Sequence, residues 1–326
     1  MNKRNSLKNI IYSCVILVLV LLMIISGLQI LESTVFRHGQ DDQNKNDTSK
    51  VIIRDGVRYF PRQDITTLLI IGIDQFGAME DSGSYNNPGA ADMVSLLIFD
   101  ETSQECRILS LNRDTMMNMD ILGIGGKVAG TAYQQLALSH TYGNGLEQSC
   151  VNTKNAVSTF LYGAQIDYYL SMNMDAISIL NDAVGGVTVE VKDDFSHIDP
   201  TITMGEVTLT GQQAIHYVRT RKGLGDQLNI SRMERQQAYM HGFVDALLTH
   251  KEDPTFALKT FNQVSKYIVT DCSATVLNSL LQRYSDYPIV EVVSPVGENV
   301  MSNYIEFYVD EDLLDELILR LLYNPI

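Results

Sequence analysis

The chain of 326 residues carries 39 acidic against 24 basic side chains, a formal net charge of −15, which argues against nucleic-acid binding because that needs a broad basic footprint. Its 4 cysteines are too few and too scattered for a disulfide framework, although one bridge among Cys106, Cys150 and Cys272 is left open. The length beyond a membrane anchor suits one large domain or two small ones.

Lys3, Arg4 and Lys8 precede Ile10–Leu28, an apolar run without a charged residue that is long enough to cross a bilayer. Gln29, Ile30, Leu31 and Glu32 follow and offer no small-residue cleavage site, so the run predicts a retained transmembrane helix over residues 10–30. Positive charge ahead of it places residues 1–9 in the cytoplasm as a short tail and the remaining bulk outside a single-pass cell membrane. Residues 31–50 are polar and charge-mixed, which predicts a flexible linker, and residues 51–326 form the predicted extracellular domain.

Within that domain, Val51–Phe60 predicts a hairpin about Asp55-Gly56. Thr66–Asp74 and Met93–Asp100 are continuous apolar runs that predict central strands, and Cys106–Leu111 a third. Helical periodicity covers Leu146–Tyr162 and Met174–Val184, with a strand at Ile166–Leu170 between them and another at Val187–Val191. Toward the C-terminus come a helix at Ala274–Gln282, strands at Ile289–Val293 and Ile305–Val309, and a closing helix at Leu313–Leu322. Strands alternating with amphipathic helices imply an α/β fold: a three-layer α/β/α domain with a mixed central sheet.

In such folds chemistry gathers just beyond strand ends, where Asp74, Asp92, Arg113 and Asp114 fall. Any one of these acids alone is most simply a turn or cap residue; two acids and an arginine at neighbouring strand ends point further. Between Tyr217 and Gln236 stand Arg219, Arg221, Lys222, Arg232 and Arg235. Ser231 and Glu234 have the spacing of a capping box, which predicts a helix opening there. Arg232, Arg235 and Gln236 then share its first turns with Tyr239, while Met233, Met240, Val244 and Leu247 form an apolar stripe. Cations at a helix N-terminus oppose the macrodipole, so an anion against them is expected; the alternative is a solvated face of salt bridges. His140, His216, His241 and His250 lack metal-ligand spacing and read as surface or cap residues.

The LLIIGID strand ending at Asp74, the Asp92 segment, Asn112-Arg113-Asp114-Thr115, Ile166-Asp-Tyr-Tyr, Gly185-Gly-Val-Thr-Val, the Gly211-Gln-Gln-Ala lead into Tyr217-Val-Arg-Thr-Arg, and Arg232-Met-Glu-Arg-Gln together resemble the LytR-CpsA-Psr family of cell-envelope enzymes of Gram-positive bacteria. The likeness covers most of residues 60–250. It implies a phosphotransferase that moves a glycopolymer, such as a teichoic acid or capsule chain, from a polyprenyl-pyrophosphate carrier in the membrane lipid to peptidoglycan. It further implies magnesium or manganese held by Asp74 and Asp92, and a pyrophosphate surrounded by Arg113, Arg219, Arg221, Arg232, Arg235 and Gln236. Arg113, Asp114, Arg219 and Arg221 would form the catalytic set, and an apolar tunnel would take the lipid tail. Elementary chemistry agrees: magnesium prefers carboxylate, phosphate and water oxygens, and bidentate guanidiniums fix a phosphorus for in-line attack. Asp114 would take the hydroxyl proton or orient Arg113, and phosphoryl transfer leans on positioning.

Two positions depart from the family pattern. Ala90 stands where an arginine is usual, two places before the second aspartate, and Gln135 where a lysine is expected. Three readings therefore remain: a divergent transferase, pyrophosphatase-like hydrolysis of the carrier, and a non-catalytic module that binds polymer or lipid carrier. Transcriptional regulation is disfavoured by the short tail and the acidic body.

Overall fold

The computed structural model describes residues 51–325 apart from 221–222, 225–228, 251–252, 254–255, 274–275, 277–278, 281–282 and 285. The predicted tail, membrane helix and linker at 1–50, and Arg221, lie outside the described residues, as does most of the predicted 274–282 helix. Among the described residues no helix is long and apolar enough to cross a membrane.

Asp55 and Gly56 both take positive φ, 51° and 77°, the conformation of a two-residue hairpin turn, and join β1 (Ile52–Arg54) to β2 (Val57–Pro61). The apolar runs follow as β3 (Ile65–Ile73), β4 (Ala91–Asp100) and β5 (Glu105–Leu111). Next come a hairpin, β6 (Met116–Leu122) and β7 (Val128–Gln135), and helix α1 (Glu147–Phe160). Strand β8 (Tyr168–Asn173) starts two residues after its predicted beginning, because Asp167 instead accepts the backbone N–H and hydroxyl of Thr67 at 2.9 and 3.1 Å. Helix α2 (Met174–Ala183), the hairpin of β9 (Val187–Val191) and β10 (Gly205–Leu209), and helices α3 (Gly211–Arg219), α4 (Asn229–Leu248) and α5 (Phe256–Val264) continue the chain. Since α4 begins at Asn229, Ser231 lies inside its first turn rather than before it. The described chain closes with β11 (Ile268–Thr270), β12 (Ile289–Val293), the hairpin of β13 (Gly297–Met301) and β14 (Ile305–Val309), α6 (Glu311–Leu322), and β15 (Tyr323–Pro325), which pairs with β2.

Six strands form one mixed sheet in the order β11-β8-β3-β4-β5-β12. Strand β8 runs parallel to β3 and β12 parallel to β5, while β4 runs antiparallel to both its neighbours. Alternation along the strands divides the core in two. Leu68, Ile70, Leu97 and Ile108 face one cluster shared with Leu180 of α2 and Phe243 of α4. Leu69, Ile71, Leu96 and Leu109 face another shared with Val157 of α1 and Ile318 of α6. Helices thus cover both faces of the sheet, as the alternation of elements predicts.

Gly242 sets how closely α4 approaches the β9–β10 hairpin: a Cβ added there would overlap the carbonyl oxygen of Thr188. Gly242→Ala must push the helix outward or distort the strand, and we expect a loss of about 1–3 kcal/mol in urea unfolding. An unchanged midpoint would show that α4 docks elsewhere.

Candidate active site

Because β3, β5 and β8 run one way and β4 the other, the end of β3 at Asp74, the start of β4 at Asp92, the exit of β5 at Arg113 and the end of β8 at Asn173 share one end of the sheet. The pairing of β3 with β4 slips there: Gly72 faces Met93 while Ile73 faces Ala91. Asp92 is the extra residue of this bulge, a device that re-aims a side chain and ends regular pairing. The loop between Asp74 and Asp92 is tied at several points. Asn173 caps α2, accepting from Ala176 N–H at 3.2 Å, and donates to the Gly77 carbonyl at 2.6 Å. Asn87 donates to the His140 carbonyl at 2.8 Å and accepts from Gly89 N–H at 2.8 Å.

His140 closes this anchor from below. It was expected at the surface or as a cap, yet it is fully buried, with Nδ1 2.8 Å from the Gly89 carbonyl. Only a protonated Nδ1 can donate to that carbonyl, which leaves Nε2 as acceptor toward Cys150 Sγ at 3.8 Å. Burial lowers the imidazole to about 4 against the opposing pull of Gly89, and burial raises the Cys150 thiol to about 12. The pair is neutral and structural. Cys106, Cys150 and Cys272 are all buried and none is in a disulfide, so the bridge left open by the sequence is absent among the described residues.

The cations meet the carboxylates in two sets. Arg113 donates to one oxygen of Asp92, and Arg232 from α4 donates to the other at 3.2 Å. Arg219, the last residue of α3, holds Asp74 with two donors at 2.6 and 3.2 Å and lies over the Phe76 ring, 5.5 Å from its centroid. The hydrogen bond to Asp74 and the charges of Asp74 and Asp92 raise the Arg219 guanidinium above its ordinary value against the cost of burial. Arg235 points elsewhere: it donates to the Tyr217 carbonyl at 3.1 Å, to the Thr220 carbonyl, and to Asp193 at 2.7 Å. Gln236 donates to the Val218 carbonyl at 3.1 Å. Both side chains therefore engage the last carbonyls of α3, where a cation also complements the helix dipole.

Arg219, Asp92, Arg232 and Gln236 form the polar part of the lining of a cleft of about 720 Å³, counting its open entrance. Asp74 and Arg113 are one ion pair away from that lining. Its walls are apolar, with Met93, Met172, Ile177, Leu180 and Phe243, and Tyr239 places its hydroxyl 3.1 Å from Asn181. Sequence periodicity does not separate such a wall from ordinary core. Asp114 is buried, 3.5 Å from Arg113 Nε. Gln135 donates to the Ile305 carbonyl at 2.6 Å and reaches Asp114 at 3.4 Å. The Ala90 carbonyl accepts from Asp74 N–H at 3.2 Å.

Among the described residues no group of three or more His, Cys, Asp or Glu is arranged to hold a metal. Asp74 and Asp92 still suit magnesium, which takes one or two carboxylates and completes its shell with phosphate and water. Each carboxylate oxygen bound to one guanidinium N–H retains a second lone-pair direction.

The model of the LytR_cpsA_psr family matches residues 27–321. The chain belongs to the LytR_cpsA_psr family. It is 33% identical over 161 residues to the polyisoprenyl-teichoic acid–peptidoglycan teichoic acid transferase TagU of Halalkalibacterium halodurans, covering 49% of this chain and 46% of that protein. It is 26% identical over 208 residues to TagU of Bacillus subtilis, covering 64% and 58%. The chain thus spans about half the length of these relatives. TagV of B. subtilis has the same fold, with TM-score 0.60 at 22% identity over 80% of this chain and 96% of that one.

The neutral imidazole at the base of this family member's site predicts a pH dependence. Below the ordinary value of 6.5 the unfolded chain takes up a proton that the folded chain refuses until about 4. Stability is therefore fully present above 6.5 and falls as pH drops toward 4, by about 3 kcal/mol from this group. Urea midpoints between pH 7.5 and 5 should show a shallower decline in His140→Gln; an identical slope would remove His140 as the cause.

Proposed function

We propose that this chain transfers a glycopolymer, of the teichoic acid or capsule type, from a polyprenyl-pyrophosphate carrier to peptidoglycan, on the outer face of a membrane to which residues 10–30 anchor it. One observation carries the reading: a cleft whose mouth is guanidinium and carboxylate and whose walls are apolar. A ligand with a charged head and a long apolar tail fits both parts, and a water-soluble phosphate would leave the walls unused. The names of the relatives, polyisoprenyl-teichoic acid–peptidoglycan transferases, support the same substrate class.

The described residues supply binding and orientation. Arg113, Arg219 and Arg232 each rest on a carboxylate, so their forks are oriented before a pyrophosphate arrives and little reorganisation is needed when it binds. The apolar walls retain the polyprenyl tail, which holds the phosphorus bearing the glycan at the mouth. A sugar hydroxyl of the acceptor attacks that phosphorus in line; the new oxygen–phosphorus bond forms as the bond to the bridging oxygen breaks, the hydroxyl proton passes through solvent to the departing phosphate, and polyprenyl phosphate leaves with its remaining charge on the arginines. Asp114, buried against Arg113, orients that arginine. Magnesium or manganese bound at Asp74 and Asp92 would supply further charge neutralisation to the pyrophosphate.

The full chain in detergent, given a pyrophosphate-linked lipid glycan, peptidoglycan fragments and magnesium, should form a phosphodiester-linked product. Arg219→Ala or Arg232→Ala should lower the rate by about 10²–10³-fold, the scale of losing a charge-stabilising donor, and chelation should abolish it. Donor binding without product would favour the binding module, and phosphate release without acceptor would favour hydrolysis.

A second expectation isolates the cleft. Ile177→Trp fills the wall and should raise the KM for a long-chain donor while sparing a donor with a truncated tail. Equal effects on both would place the tail elsewhere.

A further inference from the structure

Beside the paired arginines and aspartates of the cleft lies an aromatic and acidic surface that the proposed transfer leaves unassigned. Strand β14 leans on the catalytic edge: Phe307 N–H donates to the Asp114 carbonyl at 2.8 Å, Thr115 and Phe307 form a parallel bridge, and Gln135 Nε2 donates to the Ile305 carbonyl at 2.6 Å. Successive strand side chains alternate, so Phe307 turns inward while Glu306 and Tyr308 turn outward, with the Tyr308 hydroxyl on Glu306 at 2.8 Å. On β7, Tyr133 lies two residues from Gln135 and on its face, one pleat repeat or about 7 Å farther from Asp114. Tyr133 is 53% exposed and Tyr308 38%. The bond from Gln135 to the Ile305 carbonyl brings the end of β7 alongside β14, and after burial Glu311 and Glu306 are the groups that raise the Tyr133 phenol. Tyr304 and Met301, at the tip of the β13–β14 hairpin, are each 73% exposed.

We infer that the Tyr133–Tyr308–Glu306 surface is the acceptor subsite, where uncharged N-acetylated hexosamine rings of a glycan strand stack on the two phenol faces with a sugar hydroxyl directed toward Arg113. This rests on the transferase reading and adds to it the place where the second substrate binds. Three features of the surface select the occupant. Open aromatic faces suit the C–H faces of pyranose rings, as they suit other apolar surfaces with polar edges. Carboxylates at Glu306 and Glu311 accept from hydroxyl and amide donors and repel phosphate, which excludes the anionic donor polymer from this side. Continuity through Gln135 to Asp114 and Arg113 leads from the rings directly to the reacting end of the sheet. In the same geometry, Gln135 is a neutral bridge between the hairpin and the site, in a position where the family pattern expects a cation.

The test is binding of tetra-N-acetylchitotetraose to the full chain in detergent, by calorimetry or by chemical-shift change, with donor lipid absent. The double variant Tyr133→Ala/Tyr308→Ala should weaken binding by about 5-fold or more, the scale of losing two ring contacts, and Tyr133→Phe/Tyr308→Phe should stay within about 3-fold of the unchanged chain. Urea midpoints of both variants should match the parent, since the side chains are exposed. Unchanged sugar affinity in the alanine variant overturns the inference, as does an equal loss in the phenylalanine variant. Loss of vesicle binding without loss of sugar binding also overturns it, by assigning the rings to a membrane. If sugar binds through these rings but no phosphodiester forms with donor present, the subsite stands and the transferase reading fails.

Discussion

One carboxylate gripped from two directions organises this molecule. Asp92 is the bulge residue of β4, and its oxygens receive Arg113 from the turn after β5 and Arg232 from a helix on one face of the sheet. Asp92 and Arg232 are nearly out of water, with side chains 8% and 5% exposed. Ion pairs so placed give back much of their Coulombic gain as desolvation, and removing either partner alone strands a buried charge at a cost of about 3–5 kcal/mol. Their value is therefore geometric: the pair fixes where α4 meets the sheet edge, and on the transferase reading a pyrophosphate would take over guanidinium donors that are already oriented. A regular β4 would have paired Asp92 across from β3 and kept its side chain within the alternation of the strand.

Arginines that look equivalent in the sequence do different work. Arg232 and Arg235 stand three residues apart on α4, on one face by helical spacing, and the charge pattern gives no basis for separating them. The fold separates them by what lies opposite. Arg232 meets a sheet-edge carboxylate at an open cleft, while Arg235 meets the last carbonyls of α3, Asp193, and the Phe195 ring at 5.9 Å. At a helix C-terminus a cation satisfies carbonyls that have no intrahelical partner. Arg219 is the last residue of that helix, so Arg235 acts on the site by fixing the place from which Arg219 reaches Asp74.

The central strands were legible because a strand covered on both faces reads as an unbroken apolar run, and Thr66–Asp74 and Met93–Asp100 each match a strand to within two residues at either end. Asp74, Asp92 and Arg113 followed from their places at strand ends. The β6–β7 hairpin was invisible for the complementary reason: β7 is almost wholly exposed, and Gly125 and Gly126, both at φ 71°, break the stretch between the strands. Its pattern carries no apolar period, although its last residue, Gln135, touches the site. His140 misled because a histidine in a polar stretch resembles a surface residue, and only the fold shows Gly89 and Cys150 closing over it. The apolar cleft was unreadable in principle, since its lining has the same composition and spacing as the core it interrupts.

Charge counting gives the site its last constraint. Arg113, Arg219 and Arg232 stand against Asp74, Asp92 and Asp114, so among the described residues these cationic and anionic groups balance. A pyrophosphate diester brings two negative charges into a place partly shielded from water, where uncompensated charge is expensive. Cations at the positions of Ala90 and Gln135 would have offset that charge from within the chain; here neither does, and Gln135 is spent on Ile305 and Asp114. On the transferase reading, a divalent ion held by Asp74 and Asp92 would restore neutrality with the oxygen donors that such an ion prefers. On this count the two departures from the family pattern would make a transferase of this sequence lean more on such an ion, because the arginines described at the cleft are already balanced by the carboxylates that aim them.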